Sequence, residues 1–318
     1  MASDLLQERK DYSAGRLQDV SKRIAAIREL SQQPDLGIYV TGSYGRLEAH
    51  PGSDLDLFFV SDGKVQLDRT TKTLIDAELI KIAREMGFPP FSNDAQYLQV
   101  HSLGEMLDKL GGVEDDFKNF FTARMLLLLE SRPVFGEDAY KRILTSIIDA
   151  YFRDYHDHTG NFRPLFMVND ILRFWKTLCL NYENRRNRPE DRAQKNKHHL
   201  RNLKLKFSRL LICFSTIVPL ISSRSSSPQD IFSLTEYPPL DRLGKLTRSD
   251  QQKRLYNELR ELYSSFLEIT SRGDVLNWIE TKENRRGAFG KADKFGAVLY
   301  SFLASSVQEQ DDIRFLIV

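Results

Sequence analysis

The chain has 318 residues, of which 41% are hydrophobic and 28% charged, proportions of a globular protein that exclude a disordered, collagen-like or disulfide-stapled chain. At roughly 100–200 residues per domain, this length predicts two domains or one large one, with core enough to fold without a metal or disulfide. Lys and Arg number 46 against 44 Asp and Glu, a formal charge of +2, so the overall balance selects no partner and only its distribution can.

In chain order, residues 4–33 predict a helix, with Leu6, Leu17, Val20, Ile24 and Ile27 along one apolar stripe and Pro34-Asp35 as its stop. Leu36–Thr41 reads as a short strand, and Gly42-Ser43-Tyr44-Gly45 as a turn. Asp54–Val60 reads as a second strand, followed by the turn Ser61-Asp62-Gly63-Lys64. Residues 68–86 carry a helical period through Leu74, Ile75, Leu79 and Ile82, stopped by Gly87 and Pro89-Pro90. Ala95–His101 reads as a third strand on the strength of Tyr97 and Val100.

From about residue 114 the pattern is helical, in segments near 114–131, 137–157, 166–186, 198–222, 248–272 and 291–307. Junctions fall at Ser131-Arg132-Pro133, at Phe162-Arg163-Pro164 and in the Ser/Pro-rich stretch 222–240. The fold class expected is α+β: a small mixed-sheet domain over residues 1–135, then an all-helical domain over 136–318. The longest apolar run, Leu210–Ile221, falls short of the roughly 20 residues a bilayer span needs. The polar start of the chain has no signal pattern. Cys179 and Cys213 lie in apolar helical stretches without CxxC spacing. A cytoplasmic protein without membrane association is expected.

Two features between residues 41 and 60 carry chemistry. Gly42-Ser43 at the end of a strand, with Gly45-Arg46 in a short helix, presents free backbone N–H groups that suit an anion, and glycine lets a phosphate come close. Ser43 adds a hydroxyl, while Arg46 is suited either to a phosphate or to a nearby acid; an ordinary strand–turn–helix connection would use the same residues. Asp54-Leu55-Asp56 opens an apolar strand, and the strand period of 2 sets both carboxylates on one face. Paired hard oxygen ligands suit Mg²⁺ or Mn²⁺, which also take substrate phosphate oxygens; turn chemistry around Ser53 is the plainer use of such aspartates.

Together, with 11 residues from Ser43 to Asp54, the run Gly-Ser-Tyr-Gly-Arg-x-Glu-x-x-Pro-x-Ser-Asp-x-Asp-Leu resembles the nucleotidyltransferase superfamily, polymerase-beta-like, and within it the PII-uridylyltransferase-like branch. The resemblance covers residues 41–60 closely and is compatible with the layout of 1–135. It implies transfer of a nucleoside monophosphate from a nucleoside triphosphate to an acceptor hydroxyl, with release of pyrophosphate. Gly42 and Ser43 would hold the triphosphate, and Asp54 and Asp56 the divalent ions, Mg²⁺ or Mn²⁺. A third carboxylate is usual on a neighbouring strand, but Ala95–His101 contains no acid. Asp94, just before it, is the first candidate and Glu105 the next; His101 is a candidate base or a structural residue. A catalytically weak or inactive nucleotide- or RNA-binding regulator with the same fold is the alternative.

In the helical half, residues 185–209 hold ten Lys and Arg against two acids. Such a run suits a triphosphate, a polyanionic acceptor such as RNA, or simply solvent. Asp170, Arg173 and Lys176 are spaced along one helix face; the resemblance implies that a helix of this kind lines the nucleotide cleft, which makes Arg173 and Lys176 nucleotide-binding candidates, with an Asp170–Arg173 ion pair as the competing use. The acceptor, a protein, RNA or a small molecule, stays open. No zinc spacing, P-loop, dinucleotide fingerprint or Ser-His-Asp pattern is present.

Overall fold

In the computed structural model, residues 4–63, 67–91, 98–157, 159–160, 162–186, 192–223, 226–307, 313–314 and 316 are described. The strands are Leu36–Val40 (β1), Leu57–Ser61 (β2), Val100–Ser102 (β3) and Arg132–Phe135 (β4). Every residue of β1 is buried, as are the first four of β2, and strands covered on both faces sit at the centre of a sheet. The order is β3-β2-β1-β4. β1 runs antiparallel to β2 and β4, while β2 and β3 are parallel, so the sheet is mixed as expected.

The first helix, Leu5–Ala25 (α1), buries Ser13, Leu17, Val20 and Ile24 on one stripe. It ends before the expected residue 33, and residues 28–32 continue as a 3-10 turn. Gly42–Gly45 (α2) is a single turn between β1 and β2. Arg69–Glu85 (α3) starts where the carboxylate of Asp68 accepts from the N–H groups of Thr70 and Thr71, a standard N-cap. Ile75, Leu79 and Ile82 of α3 join the α1 stripe and Ile38, Val40, Leu57 and Phe59 in one core. On the opposite sheet face Tyr39 stacks on Phe58 at 5.8 Å, and its phenol donates to the carbonyl of Ala123 at 3.3 Å.

The single helix expected near 114–131 is instead three pieces: Leu103–Asp108 (α4) precedes Val113–Phe117 (α5) and Phe120–Glu130 (α6). Asn119, at φ +59°, breaks the last two apart. Inside that corner Arg124 is fully buried and donates to both oxygens of Asp115 at 2.8 and 2.7 Å and to the Tyr151 hydroxyl at 2.8 Å. Burial pulls the guanidinium pKa down, but its bonds to Asp115 and Tyr151 outweigh that and raise it. The junction expected at Ser131-Arg132-Pro133 leads into strand β4, where Pro133 is tolerated because β4 is an edge strand.

Glu137–Tyr151 (α7) follows, then Leu165–Arg186 (α8), Arg192–Lys204 (α9) and Leu210–Ser222 (α10), with a π turn over residues 205–209 joining the last two. Pro228–Thr235 (α11), Pro239–Gly244 (α12), Asp250–Thr270 (α13), Val275–Glu280 (α14) and Lys282–Ser306 (α15) complete the chain. The run Leu210–Ile221 belongs to a continuous helix, Gln194–Ser222, of 29 residues. By length and composition that helix is sufficient to cross a membrane, but 61% of its apolar window is buried inside the protein, as in a core helix.

Two compact units result: Met1–Arg153 with Pro228–Pro238, and Asp154–Ser227 with Pro239–Val318. The expected division after residue 135 falls earlier than this one. The difference is α7 and α11: Tyr140 of α7 packs against Tyr39 of β1 at 6.1 Å, which ties that helix to the sheet unit, and α11 packs on α7.

Candidate active site

The β1–β2 ladder continues one residue past β1, where the N–H of Thr41 donates to the carbonyl of Asp56 at 3.0 Å. This bond sets the end of β1 beside the two aspartates. From Asp54 to Leu57 burial alternates: Asp54 and Asp56 are exposed, Leu55 and Leu57 buried. The acids precede β2 rather than lying within it, but the extended period of 2 carries through them and turns both outward.

Gly42 has φ +65°, a left-handed conformation that glycine adopts without a steric penalty. A methyl group there would come within 2.7 Å of Asp56 Oδ2, so the carboxylate lies directly over the bare Cα. The α2 turn begins at once. Gly45 and Arg46 donate back to the carbonyls of Thr41 and Gly42 at 3.2 and 3.0 Å, and the Thr41 side chain makes no cap. N–H groups at the start of such a turn have no acceptor within it.

The second motif glycine has a packing reason. A methyl on Gly45 would lie 1.8 Å from the carbonyl oxygen of Glu130, so α2 touches the end of α6 backbone to backbone. Tyr44 points into the core edge-on to Phe88 at 5.5 Å, and burial pushes its phenol up to about 12.

Arg46 takes the acid-pairing option. Its side chain is 9% exposed; Nε donates to Glu48 at 2.7 Å, and Nη1 pairs with Glu130, which is fully buried. One guanidinium thus serves two carboxylates and clamps the loop after α2 to the end of α6. The path to Asp54 is tied down as well: Ala49 N–H donates to Ser13 Oγ on α1 at 2.9 Å, and His50 N–H to Ser53 Oγ at 3.0 Å. Glu130 escaped the sequence reading because it lies 84 residues from its partner, in an apolar helix that shows no motif.

Asp94 lies outside the described residues. Glu105 is on α4, which follows β3 directly. Because Ser102 pairs with Ser61, that end of the sheet is five residues from Asp56, about 17 Å at the usual strand rise, and Glu105 does not join the site. His101 pairs with Val60, four residues along from Asp56. It is buried, edge-on to Phe120 at 5.7 Å, with Nδ1 unpartnered among the described residues and its pKa lowered by desolvation. These are properties of a core histidine kept neutral.

In the second unit, Arg173 Nε lies 3.3 Å from Asp170, the competing ion pair. Lys176 is exposed on α8. Among the described residues no three His, Cys, Asp or Glu side chains converge as a metal cluster. Two exposed aspartates beside the N–H groups that open α2 nonetheless fit Mg²⁺, which keeps several waters and takes one or two carboxylates plus substrate phosphates.

No curated protein and no solved structure matches the chain. Over residues 20–133, a span that runs from α1 into β4 and includes Gly42, Asp54 and Asp56, the chain matches the family model of the nucleotidyltransferase domain.

Proposed function

We propose that the first unit transfers a nucleoside monophosphate from a nucleoside triphosphate to an acceptor hydroxyl and releases pyrophosphate, with Asp54 and Asp56 as the catalytic carboxylates. The observation that carries this is the seat of the Asp56 carboxylate over the Cα of Gly42, which brings an acid and an anion cradle within one contact. Gly42 and the half-buried Ser43 hold the triphosphate through the backbone N–H groups that open α2 and through the Ser43 hydroxyl. Asp54 and Asp56, exposed and outward-facing, hold Mg²⁺ or Mn²⁺. That ion, when bound, supplies charge neutralisation for the attacking and leaving oxygens of an in-line displacement. The protein itself contributes position: the Arg46–Glu48–Glu130 clamp and the Ser13–Ala49 bond fix the loop between cradle and acids, and preorganised donors need no rearrangement during reaction. Asp94 is assigned as the third carboxylate.

A nucleotide-binding regulator without turnover is favoured by one observation: the three residues of β3, Val100, His101 and Ser102, include no acid. The two activities separate in one experiment. The protein is incubated with each labelled triphosphate, Mg²⁺ or Mn²⁺, total RNA and cell extract, and products are weighed by mass spectrometry. An acceptor heavier by one nucleotide residue, with matching pyrophosphate, supports the transferase and identifies base and acceptor. Triphosphate binding without pyrophosphate under either metal supports the regulator.

A further inference from the structure

The near-neutral chain hides a charge division. Lys and Arg number 27 against 18 Asp and Glu in the second unit, a formal +9, and 19 against 26 in the first, a formal −7. The acidic unit carries the candidate site. The basic unit concentrates its excess on α9 and the start of α15. Lys197 and Arg201 are exposed and spaced i, i+4, so they form a row along one helix face. Among the described residues neither has a carboxylate within ion-pair distance, although cations elsewhere on this unit do: Lys206 meets Asp293 at 2.7 Å and Lys294 meets Glu258 at 2.6 Å.

The other side of α9 is committed to packing. Asn196 donates to Glu280 of α14 at 3.2 Å, and His199 meets Phe289 of α15 at 6.4 Å. That contact sets the row beside the first turns of α15, where Lys282 and Arg286 are exposed and also without a carboxylate partner among the described residues. A nearby cleft of about 360 Å³ on α13, α14 and α15 is a weaker anion site: it offers Arg272 and Lys291 but also Glu268 and Glu283, and Arg272 is already held by Asp274 at 2.9 Å.

We infer that the α9–α15 face binds a polynucleotide through its phosphates, which makes a nucleic-acid strand the acceptor class of the transfer proposed above. Arg201 Nη1 lies 3.4 Å from His198 Nε2, and cations that lack a carboxylate partner release counterions when they meet phosphates. Among the described residues of α9 and α15 the large exposed aromatic is Tyr300, 14 residues beyond Arg286, so the charged row reads backbone rather than bases. The catalytic meaning rests on the proposed function, whereas the binding does not.

The test is fluorescence anisotropy of the full chain with a labelled 20-nucleotide RNA in EDTA without triphosphate, repeated in an Asp56→Asn background. The salt series is run for wild type, for Lys197→Ala/Arg201→Ala and for Lys197→Arg/Arg201→Lys. Loss of two phosphate contacts lowers the slope of log K against log[salt] by about 1.4 and weakens binding about tenfold. The charge-conserving pair keeps both values, and melting temperatures match. Asp56→Asn binds like wild type, so failure at the active site leaves this result readable. Wild-type affinity and slope in the double alanine variant would overturn the inference. So would displacement of the RNA by polyglutamate at equal charge concentration, which would make an acidic protein the partner.

Discussion

Arg46 offers the sharpest division between a phosphate ligand and a structural clamp. Its guanidinium is 9% exposed, against 7% for Glu48 and none for Glu130, so these three charges meet away from solvent. Replacing Arg46 by Met keeps the aliphatic bulk but takes from Glu48 and Glu130 the cation that pairs with both. Breaking a buried pair in this way costs about 3–5 kcal/mol, and each kcal/mol lowers the melting temperature of a unit this size by roughly 2–4 °C. Urea unfolding of the full chain should therefore show the first unit's transition at lower denaturant with an unchanged slope. Adding Glu130→Gln to the Met variant should recover part of the loss, because it removes one of the two buried carboxylates deprived of their cation. A phosphate ligand would behave oppositely: the single variant would keep its stability and lose triphosphate affinity. A stable Arg46→Met protein with weakened triphosphate binding would refute the clamp.

Other perturbations follow from the same geometry. Gly45→Ala places a methyl 1.8 Å from the Glu130 carbonyl oxygen; the backbone must shift, at a cost of about 1–3 kcal/mol read by thermal melting. Gly42→Ala imposes a side chain at φ +65° and presses on Asp56. It should cost about 1–2 kcal/mol and reduce turnover by more than the stability loss explains, seen as a fall in kcat with the protein still folded. His101 has its folded-state pKa lowered by burial, so the unfolded chain binds the proton first as pH falls. Stability from this group is complete above about pH 6.5 and declines below it, with a slope of at most about 1.4 kcal/mol per pH unit. His101→Phe should flatten that part of the pH–stability curve, and an unchanged curve would contradict the assignment.

What the sequence revealed was local. The turn at Gly42 and the two aspartates were legible because their chemistry lies within 20 residues, and a strand's alternation survives even where Asp54 and Asp56 sit just before the hydrogen-bonded part of β2. The sheet order β3-β2-β1-β4 and the strand β4 were not legible: four residues containing Pro133 look like a helix stop until β1 pairs with them. The start of α15 was hidden because Gly287 and Gly290 weaken the helical pattern that packing against α13 restores. Arg46 was ambiguous because a buried ion pair depends on what the rest of the chain brings to it, here a glutamate 84 residues away.

The most direct measurement of the central claim is pyrophosphate release by Asp56→Asn, compared with wild type at matched melting temperature. Asp56 is exposed, so the amide leaves the core untouched. The geometry over Gly42 predicts an intact fold with release abolished under both Mg²⁺ and Mn²⁺. Wild-type release from that variant would contradict the site.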